Sequence, residues 1–314
     1  MSTRFILKSI AILLLLLQIS CTQSSRQRVP VIASDWWRIC EMPDLGDLNG
    51  PDADRQHVVD HGFIQLGDST WQVWACIRGT AVGRLLYKWQ GKQLESGPWE
   101  PLGIAARANA QYDEQTIPRE SIQAPFFLKI DNLWHCFYNS NGIRLMTADA
   151  TGNFTRTLDE SGNNVLYREG GRDVMVLRDD NTFYAYSTIS TVAADGWKSG
   201  FIIVRTSTDL KSWSDYSIVS AGGIAGNGPI SSESPFVVKI DGLFYLFRSS
   251  SVTGLTYVYC SENPYDFGVN NDSKLVTTLP VRAPEIINVQ NRYYISDLSD
   301  FKGIKLARLA WQAR

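Results

Sequence analysis

Three acidic residues come at the start of apolar, aromatic-rich segments that lie far apart in the chain: Asp60, Asp173 and Glu233. Two carboxylates that face one another across a pocket can cleave a glycosidic bond, because one protonates the leaving oxygen while the other activates water or attacks. A third carboxylate nearby raises the pKa of the acid through repulsion between like charges. Acidic residues are also common in solvated loops, so the interpretation depends on whether the fold brings these three together.

The segments belong to five copies of one pattern. Each copy has a polar or punctuating start, a strand of four to five residues, a polar turn and a second, aromatic strand. The copies begin at Asp60, Gln123, Arg172, Glu233 and Arg282, at intervals of 63, 49, 61 and 49 residues. The turns are Gly67-Asp68, Asp131-Asn132, Asp180-Asn181, Asp241-Gly242 and Gln290-Asn291. Residues of these types tolerate the positive φ that tight β-hairpins need.

The repeat predicts an all-β, five-bladed β-propeller that forms a single domain over residues 35–314. No stretch after residue 30 shows a helical period, and repeated four-stranded units of about 50 to 60 residues are typical of propeller blades. A many-stranded sandwich is the competing fold, but it does not explain the repeat. The innermost strand of each blade lines the central channel of a propeller, so we expect the five starts to converge around the axis.

The other residues at these starts are candidates for substrate binding. Arg172 and Arg282 suit the recognition of hydroxyl groups or of an anionic sugar, and can hold a neighbouring carboxylate ionised; surface salt bridges are the alternative explanation. Gln123 opens the second copy in the same way. His61, beside Asp60, is a candidate for contact with a sugar hydroxyl or for proton transfer.

At these starts the chain resembles the five-bladed glycoside hydrolases of family 43 and their relatives in families 32, 62 and 117. The matching motifs are Asp60, Gln123-Ala124-Pro125, Arg172-Asp173 and Glu233-Ser234-Pro235, within a resemblance that covers roughly residues 55–314. The resemblance implies that Asp60 is the general base and Glu233 the general acid. It implies that Asp173 tunes the pKa of the acid and orients it.

The resemblance also implies a reaction and a substrate class. The reaction is acid/base hydrolysis, without a cofactor, of arabinose-, xylose- or galactose-type sugars in a plant or algal polysaccharide. Two motifs of the retaining fructoside enzymes are absent, which favours inversion. Family members usually have Pro after the first- and third-blade Asp, where this chain has His61 and Val174; in strict register His61 would occupy the usual Asp position. A non-catalytic glycan-binding propeller and a partner-binding scaffold are the alternative functions.

Composition argues against two other classes of function. With 30 Lys and Arg against 32 Asp and Glu, the net charge of −2 gives no electrostatic case for nucleic-acid binding. No C-x-x-C spacing occurs and no histidine follows His135, so no metal site is expected. Four cysteines remain after the leader, and they either form disulfides or stay as buried thiols: Cys40, Cys76, Cys136 and Cys260.

The first 21 residues read as a targeting segment. Arg4 and Lys8 precede the apolar stretch IAILLLLLQIS, which is short for a membrane span and ends at Cys21. This resembles a bacterial lipoprotein signal, in which the cysteine is lipidated; plain secretion is the alternative. We expect residues 22–34 to be a linker and the protein to be exported, as a periplasmic, outer-membrane or cell-surface lipoprotein held to the membrane only by its lipid anchor.

Overall fold

The computed structural model describes residues 27–169, 171–194 and 196–314. In these residues five antiparallel sheets stand in a ring, which confirms the predicted all-β, five-bladed β-propeller. No helix in these ranges is long and apolar enough to cross a membrane. The predicted targeting segment, residues 1–21, and its Cys21 lie outside the described residues.

Three blades are sheets of four strands, and the other two are sheets of five strands. β1 (Arg28–Ile32) and β2 (Trp37–Glu41) come first in the chain. The first blade is β3 (His57–Leu66), β4 (Thr70–Arg78), β5 (Arg84–Gly91) and β6 (Glu100–Ala106). The second is β7 (Gln123–Ile130), β8 (Leu133–Asn139), β9 (Ile143–Ala148) and β10 (Thr155–Arg156), with β11 (Val165–Tyr167) also paired to β9.

The other three blades repeat this meander. The third blade is β12 (Arg172–Asp179), β13 (Thr182–Val192), β14 (Lys198–Ser207) and β15 (Ser217–Ala221). The fourth is β16 (Glu233–Ile240), β17 (Leu243–Ser250), β18 (Leu255–Ser261) and β19 (Leu275–Leu279). The fifth contains β20 (Ile286–Val289), β21 (Arg292–Asp297) and β22 (Gly303–Ala313). Single turns of 3-10 helix lie in the loops at Gly46–Leu48, Ala53–Arg55, Ala110–Tyr112 and Gly223–Ala225.

The two N-terminal strands complete the fifth blade. β1 pairs with β22 from Arg28 opposite Ala313 to Ile32 opposite Leu309, and β2 pairs with the other end of β22. The first two strands of the described residues and the last one therefore close the ring through backbone hydrogen bonds. The linker predicted over residues 22–34 was wrong in its extent, because residues 28–32 are a strand of the propeller, which begins ahead of residue 35.

The predicted turns join the first and second strands of their blades. Asp241 and Gly242 have φ of 49° and 84°, and Gln290 and Asn291 have φ of 51° and 64°, so both central residues are left-handed, as type I′ hairpins require. The strands alternate in direction. The loop that enters an innermost strand and the loop between the second and third strands therefore open on one face, and these hairpins lie on the other.

Apolar side chains fill the channel below the site-bearing face. Phe126 of β7 and Phe236 of β16 meet across it with ring centroids 6.1 Å apart and edge-to-face geometry. The four cysteines that the structure describes are free and buried, which favours the buried-thiol interpretation over disulfides.

A buried arginine orders the loop that leads into the fourth blade. The guanidinium of Arg248, in β17, is fully buried and donates to the carbonyl oxygens of Gly222, Gly226 and Ser231 at 3.1, 2.8 and 3.1 Å. Because hydrogen bonds to a charged donor in a dry interior are strong, these contacts fix residues 222–231 just ahead of Glu233.

Candidate active site

A backbone irregularity recurs at the start of the innermost strands. Five residues there have positive φ, of 41°, 51°, 57°, 45° and 44°: Asp60, Ala124, Asp173, Ser234 and Ala283. In the first four blades the pairing with the second strand shifts register at this point, which is a β-bulge. A left-handed conformation costs a residue with a Cβ about 1 kcal/mol. This conformation turns the side chain out of the regular up-and-down alternation of the strand and toward the propeller axis.

The recurring irregularity corrects the sequence alignment by one residue in the first blade. Asp60 is equivalent to Asp173 and Ser234, whereas Glu233 comes one residue earlier, at the position of Arg172. Within this chain Asp60, and not His61, therefore has the position that Asp173 has in the third blade. His61 instead follows the left-handed residue, where Pro235 stands in the fourth blade.

The three predicted carboxylates form one cluster. The backbone N–H of Ser234 donates to Asp173 Oδ2 at 3.2 Å, and its hydroxyl lies 3.5 Å from Asp60 Oδ1, so Ser234 links the two aspartates. Arg172 Nη2 donates to Glu233 Oε1 at 2.5 Å, and Arg172 Nε lies 3.9 Å from Asp173 Oδ2. One serine and one arginine thus hold residues from three blades together.

The cluster opens into a cleft of about 760 Å³ on the site-bearing face of the propeller. The sequence-predicted residues that line it are Asp60, Gln123, Arg172, Asp173, Glu233 and Arg282. The cleft is within the size range of small-molecule sites. Gln123 is buried, and its Oε1 has no hydrogen-bond partner among the described residues.

His61 does not line this cleft. It is only 4% exposed and lies below the cluster, beside a small cavity of about 30 Å³ that it shares with Glu285. Its Nε2 is 2.7 Å from Ser296 Oγ, and burial lowers the pKa of His61 to about 3, so the ring is neutral at physiological pH. The contact of His61 with a sugar hydroxyl stays a prediction.

Burial raises the pKa of all three clustered carboxyl groups. For Glu233 the negative charge of Asp173 adds to burial and Arg172 opposes both, which gives a pKa of about 7. For Asp60 burial and Asp173 raise the pKa, while Arg84 and Arg78 lower it. The carboxyl groups interact strongly, so they release their protons stepwise as one set, and the set keeps at least one proton at neutral pH.

Sequence reasoning missed two arginines of the cleft. Arg78 ends β4 and Arg84 begins β5, on either side of a loop between a second and a third strand. The positive charge of Arg84 lowers the pKa of Asp60, Asp173 and Glu233 alike. The sequence carries a signal for both, because in a propeller the loops between second and third strands open on the same face as the starts of the innermost strands.

No protein-family model matches the chain, and no curated protein matches it. Solved structures match its fold. A thermostable family-43 glycoside hydrolase has a TM-score of 0.62 and 16% identity, over 85% of this chain and 94% of that chain. The fold is that of family-43 glycoside hydrolases. A GH43_1 enzyme from Xanthomonas citri has a TM-score of 0.59 and 15% identity, over 82% and 89% of the two chains.

The likeness extends to a second family named in the sequence resemblance. The catalytic domain of the Coprinopsis cinerea GH62 α-L-arabinofuranosidase has a TM-score of 0.53 and 16% identity, over 90% of this chain and 98% of that chain. The resemblance inferred from the motifs at the blade starts is thus confirmed at the level of fold. Among the described residues, no group of three or more His, Cys, Asp or Glu side chains is arranged to hold a metal ion.

The raised pKa of Glu233 predicts a pH-dependent gain in stability when its charge is removed. Between the ordinary glutamate pKa of about 4.3 and the folded value of about 7, the folded state binds the proton more tightly than the unfolded state. The free energy of unfolding therefore falls as pH rises through this window. We expect Glu233→Gln to be more stable than the native protein at pH 7 by about 1–3 kcal/mol, and nearly equal to it at pH 4.5.

Urea unfolding of both proteins at the two pH values measures this difference. Glu160→Gln is the matched control, because Glu160 is exposed and its substitution leaves stability nearly unchanged. A stability difference of equal size at both pH values would contradict the assigned electrostatics.

Proposed function

We propose that this protein is an exported glycoside hydrolase that cleaves glycosidic bonds of a plant or algal polysaccharide or oligosaccharide by acid/base catalysis with inversion. One observation carries the proposal: Ser234 and Arg172 join Asp60, Asp173 and Glu233 into a single cluster at the floor of one cleft. A binding-only propeller has no need to keep three carboxylates buried against one another. The shared fold with family-43 and family-62 enzymes supports the same class of reaction.

In this mechanism Glu233 is the general acid. Its raised pKa keeps it protonated near neutral pH, and it donates that proton to the leaving glycosidic oxygen as the bond to the anomeric carbon breaks. Asp60 is the general base and removes a proton from the water that attacks the opposite face of the sugar. Burial and the charges of Asp173 and Glu233 hold the pKa of Asp60 well above its usual range, and Arg84 and Arg78 oppose that rise, so Asp60 acts as the base in the fraction of molecules in which it is ionised.

Asp173 tunes the acid. Its negative charge lies close enough to raise the pKa of Glu233, and Arg172 contacts both carboxylates. After one turnover the proton has moved from Glu233 to Asp60, and exchange with solvent resets the pair. No step in this cycle uses a cofactor.

Polysaccharides that contain arabinose, xylose or galactose are the proposed substrate class for the panel below. The matching structures include a GH43_1 enzyme from Xanthomonas citri complexed with xylotriose and an exo-1,5-α-L-arabinanase from a bovine ruminal metagenomic library. Gln123, Arg172 and Arg282 line the cleft and are the proposed contacts to the sugar.

The proposal predicts loss of turnover in Glu233→Gln. A general acid contributes about 10²–10⁴-fold to rate, so release of reducing sugar from arabinan, xylan and galactan oligosaccharides should fall by that factor. Proton NMR of the first product formed should show the anomer opposite to that of the substrate. A first product with the same anomeric configuration as the substrate would show that the reaction proceeds with retention instead of inversion. Sugar binding without turnover in either protein would favour the non-catalytic glycan-binding propeller.

We also propose that the chain is a lipoprotein anchored through Cys21, on the sequence features of residues 1–21. The lipid would hold the propeller at a membrane surface through the segment that precedes β1. In a bacterial host fed radiolabelled palmitate, the native protein should carry label and sediment with membranes, and Cys21→Ala should do neither. An unlabelled native protein in the soluble exported fraction would support plain secretion instead.

A further inference from the structure

The cleft is basic, although the whole chain has a net charge of −2. Five cationic residues line it: Arg78, Arg84, Arg172, Lys198 and Arg282. Its acidic lining consists of the three clustered carboxylates. Even when all three are ionised, five positive charges face three negative ones, which leaves an excess of two. A concave surface lined by charge of one sign concentrates ligands of the opposite sign.

Most of these cations form no ion pair with an acidic side chain among the described residues. Among the residues that the structure describes, no ion pair includes Arg78, Arg84, Lys198 or Arg282, whereas Arg172 pairs with Glu233. Arg84 is half-buried, and within the described ranges its guanidinium makes no hydrogen bond. Buried or half-buried arginines are ordinarily paired.

Two of the arginines are held by one aromatic ring. The guanidinium carbons of Arg78 and Arg282 lie 5.4 and 5.1 Å from the ring centre of Phe301, which is itself stacked on His57 with centroids 4.9 Å apart. Arg78 Nη2 also contacts His57 Nδ1 at 2.8 Å. Cation–π contacts position a guanidinium while leaving N–H groups free for a ligand.

The basic surface continues beyond the carboxylates. A second cavity of about 590 Å³ shares Arg78, Arg84 and Gln123 with the cleft. It adds Arg119, Arg55, which pairs with Asp52, and Glu120, which pairs with Arg107. Arg84 therefore stands at the junction of the two cavities. A substrate that extends over the first blade would meet positive charge at more than one sugar position.

Stabilisation of the catalytic cluster explains only part of this lining. Arg84 and Arg172 act on the carboxylates, but Arg282 and Lys198 add positive charge without an ion pair to them among the described residues. Neutral sugars need paired donors and acceptors, and they do not offset the repulsion among cations. Carboxylate and sulfate groups offset this repulsion by their negative charge. They also accept paired hydrogen bonds from arginine, because the guanidinium fork matches the geometry of their oxygens.

We propose that the cleft binds a sugar that carries an anionic substituent, a carboxylate or a sulfate ester, recognised by Arg84 and Arg282 beside the scissile bond. This inference rests on the proposed hydrolase function and narrows its substrate class. It makes the enzyme selective for acidic over neutral oligosaccharides of similar length.

The test is calorimetric binding to full-length Glu233→Gln, which keeps the cleft but does not turn substrate over. The probes are neutral arabinan and xylan oligosaccharides, uronate-containing pectin and glucuronoxylan oligosaccharides, and sulfated carrageenan oligosaccharides, at 50 and 200 mM NaCl. We expect one acidic pool to bind at least about tenfold tighter than the neutral pools, with an affinity that falls as salt rises. The pool that binds identifies the anion as carboxylate or sulfate.

Combined with Glu233→Gln, Arg282→Gln should weaken binding of that pool about tenfold or more and weaken binding of the neutral pools much less, so the preference for the acidic pool falls. Lys198→Gln is a second variant that does not threaten folding, because Lys198 is exposed, and it should weaken binding in the same direction. Arg292→Gln is the charge-matched control: Arg292 is exposed at the tip of the β20–β21 hairpin, on the opposite face, and its loss should change nothing.

The outcomes separate this inference from the hydrolase proposal. Neutral oligosaccharides that bind as tightly as acidic ones, with no change in Arg282→Gln, would overturn the anion inference and leave hydrolysis standing. Arginine-dependent binding of an acidic pool that the native protein does not cleave would support the anion site and overturn hydrolysis. Failure of every acidic pool to bind would overturn the anion inference.

Discussion

The burial of three carboxyl groups against one another is the constraint on which the rest of the site depends. Like charges held out of water repel, so each group keeps a proton longer than it would in solution. The propeller makes the arrangement possible by bringing strand starts from three blades to one axis, and by meeting the cluster with Ser234, Arg172 and Arg84. The burial and repulsion that lower the stability of the fold also keep a carboxyl group protonated at neutral pH.

Backbone geometry, rather than side-chain type alone, delivers the aspartates to that axis. The left-handed residue at the start of each innermost strand recurs in all five blades, yet only two of the five carry a carboxylate there, Asp60 and Asp173. Glu233 reaches the same cluster from the preceding position. The cluster is therefore asymmetric on a nearly fivefold scaffold, and this asymmetry lets one carboxyl act as acid while another acts as base.

The sequence predicted the architecture because hairpin turns and aromatic strands repeat along it. The turn residues are recognisable from local chemistry alone, so the repeat can be seen without knowledge of distant contacts. The sequence did not predict that Asp60 stands one position later in its repeat than Glu233 does, since a β-bulge adds a residue without changing the composition. β1 lies within the predicted linker: RVPVI is short and contains Pro30, which an edge strand tolerates. Arg84 does not stand out in the sequence, because it follows the loop between a second and a third strand and is not at the start of an innermost strand.

The most direct test of this account is the pKa of Glu233, measured by carbon-13 NMR titration of the labelled side chain and assigned by its loss in Glu233→Gln. The account predicts a pKa near 7 that falls when the neighbouring charge is removed in Asp173→Asn, because Asp173 raises it by repulsion. A pKa close to the ordinary value of about 4.3, unmoved by Asp173→Asn, would contradict the coupled cluster and the acid role that depends on it.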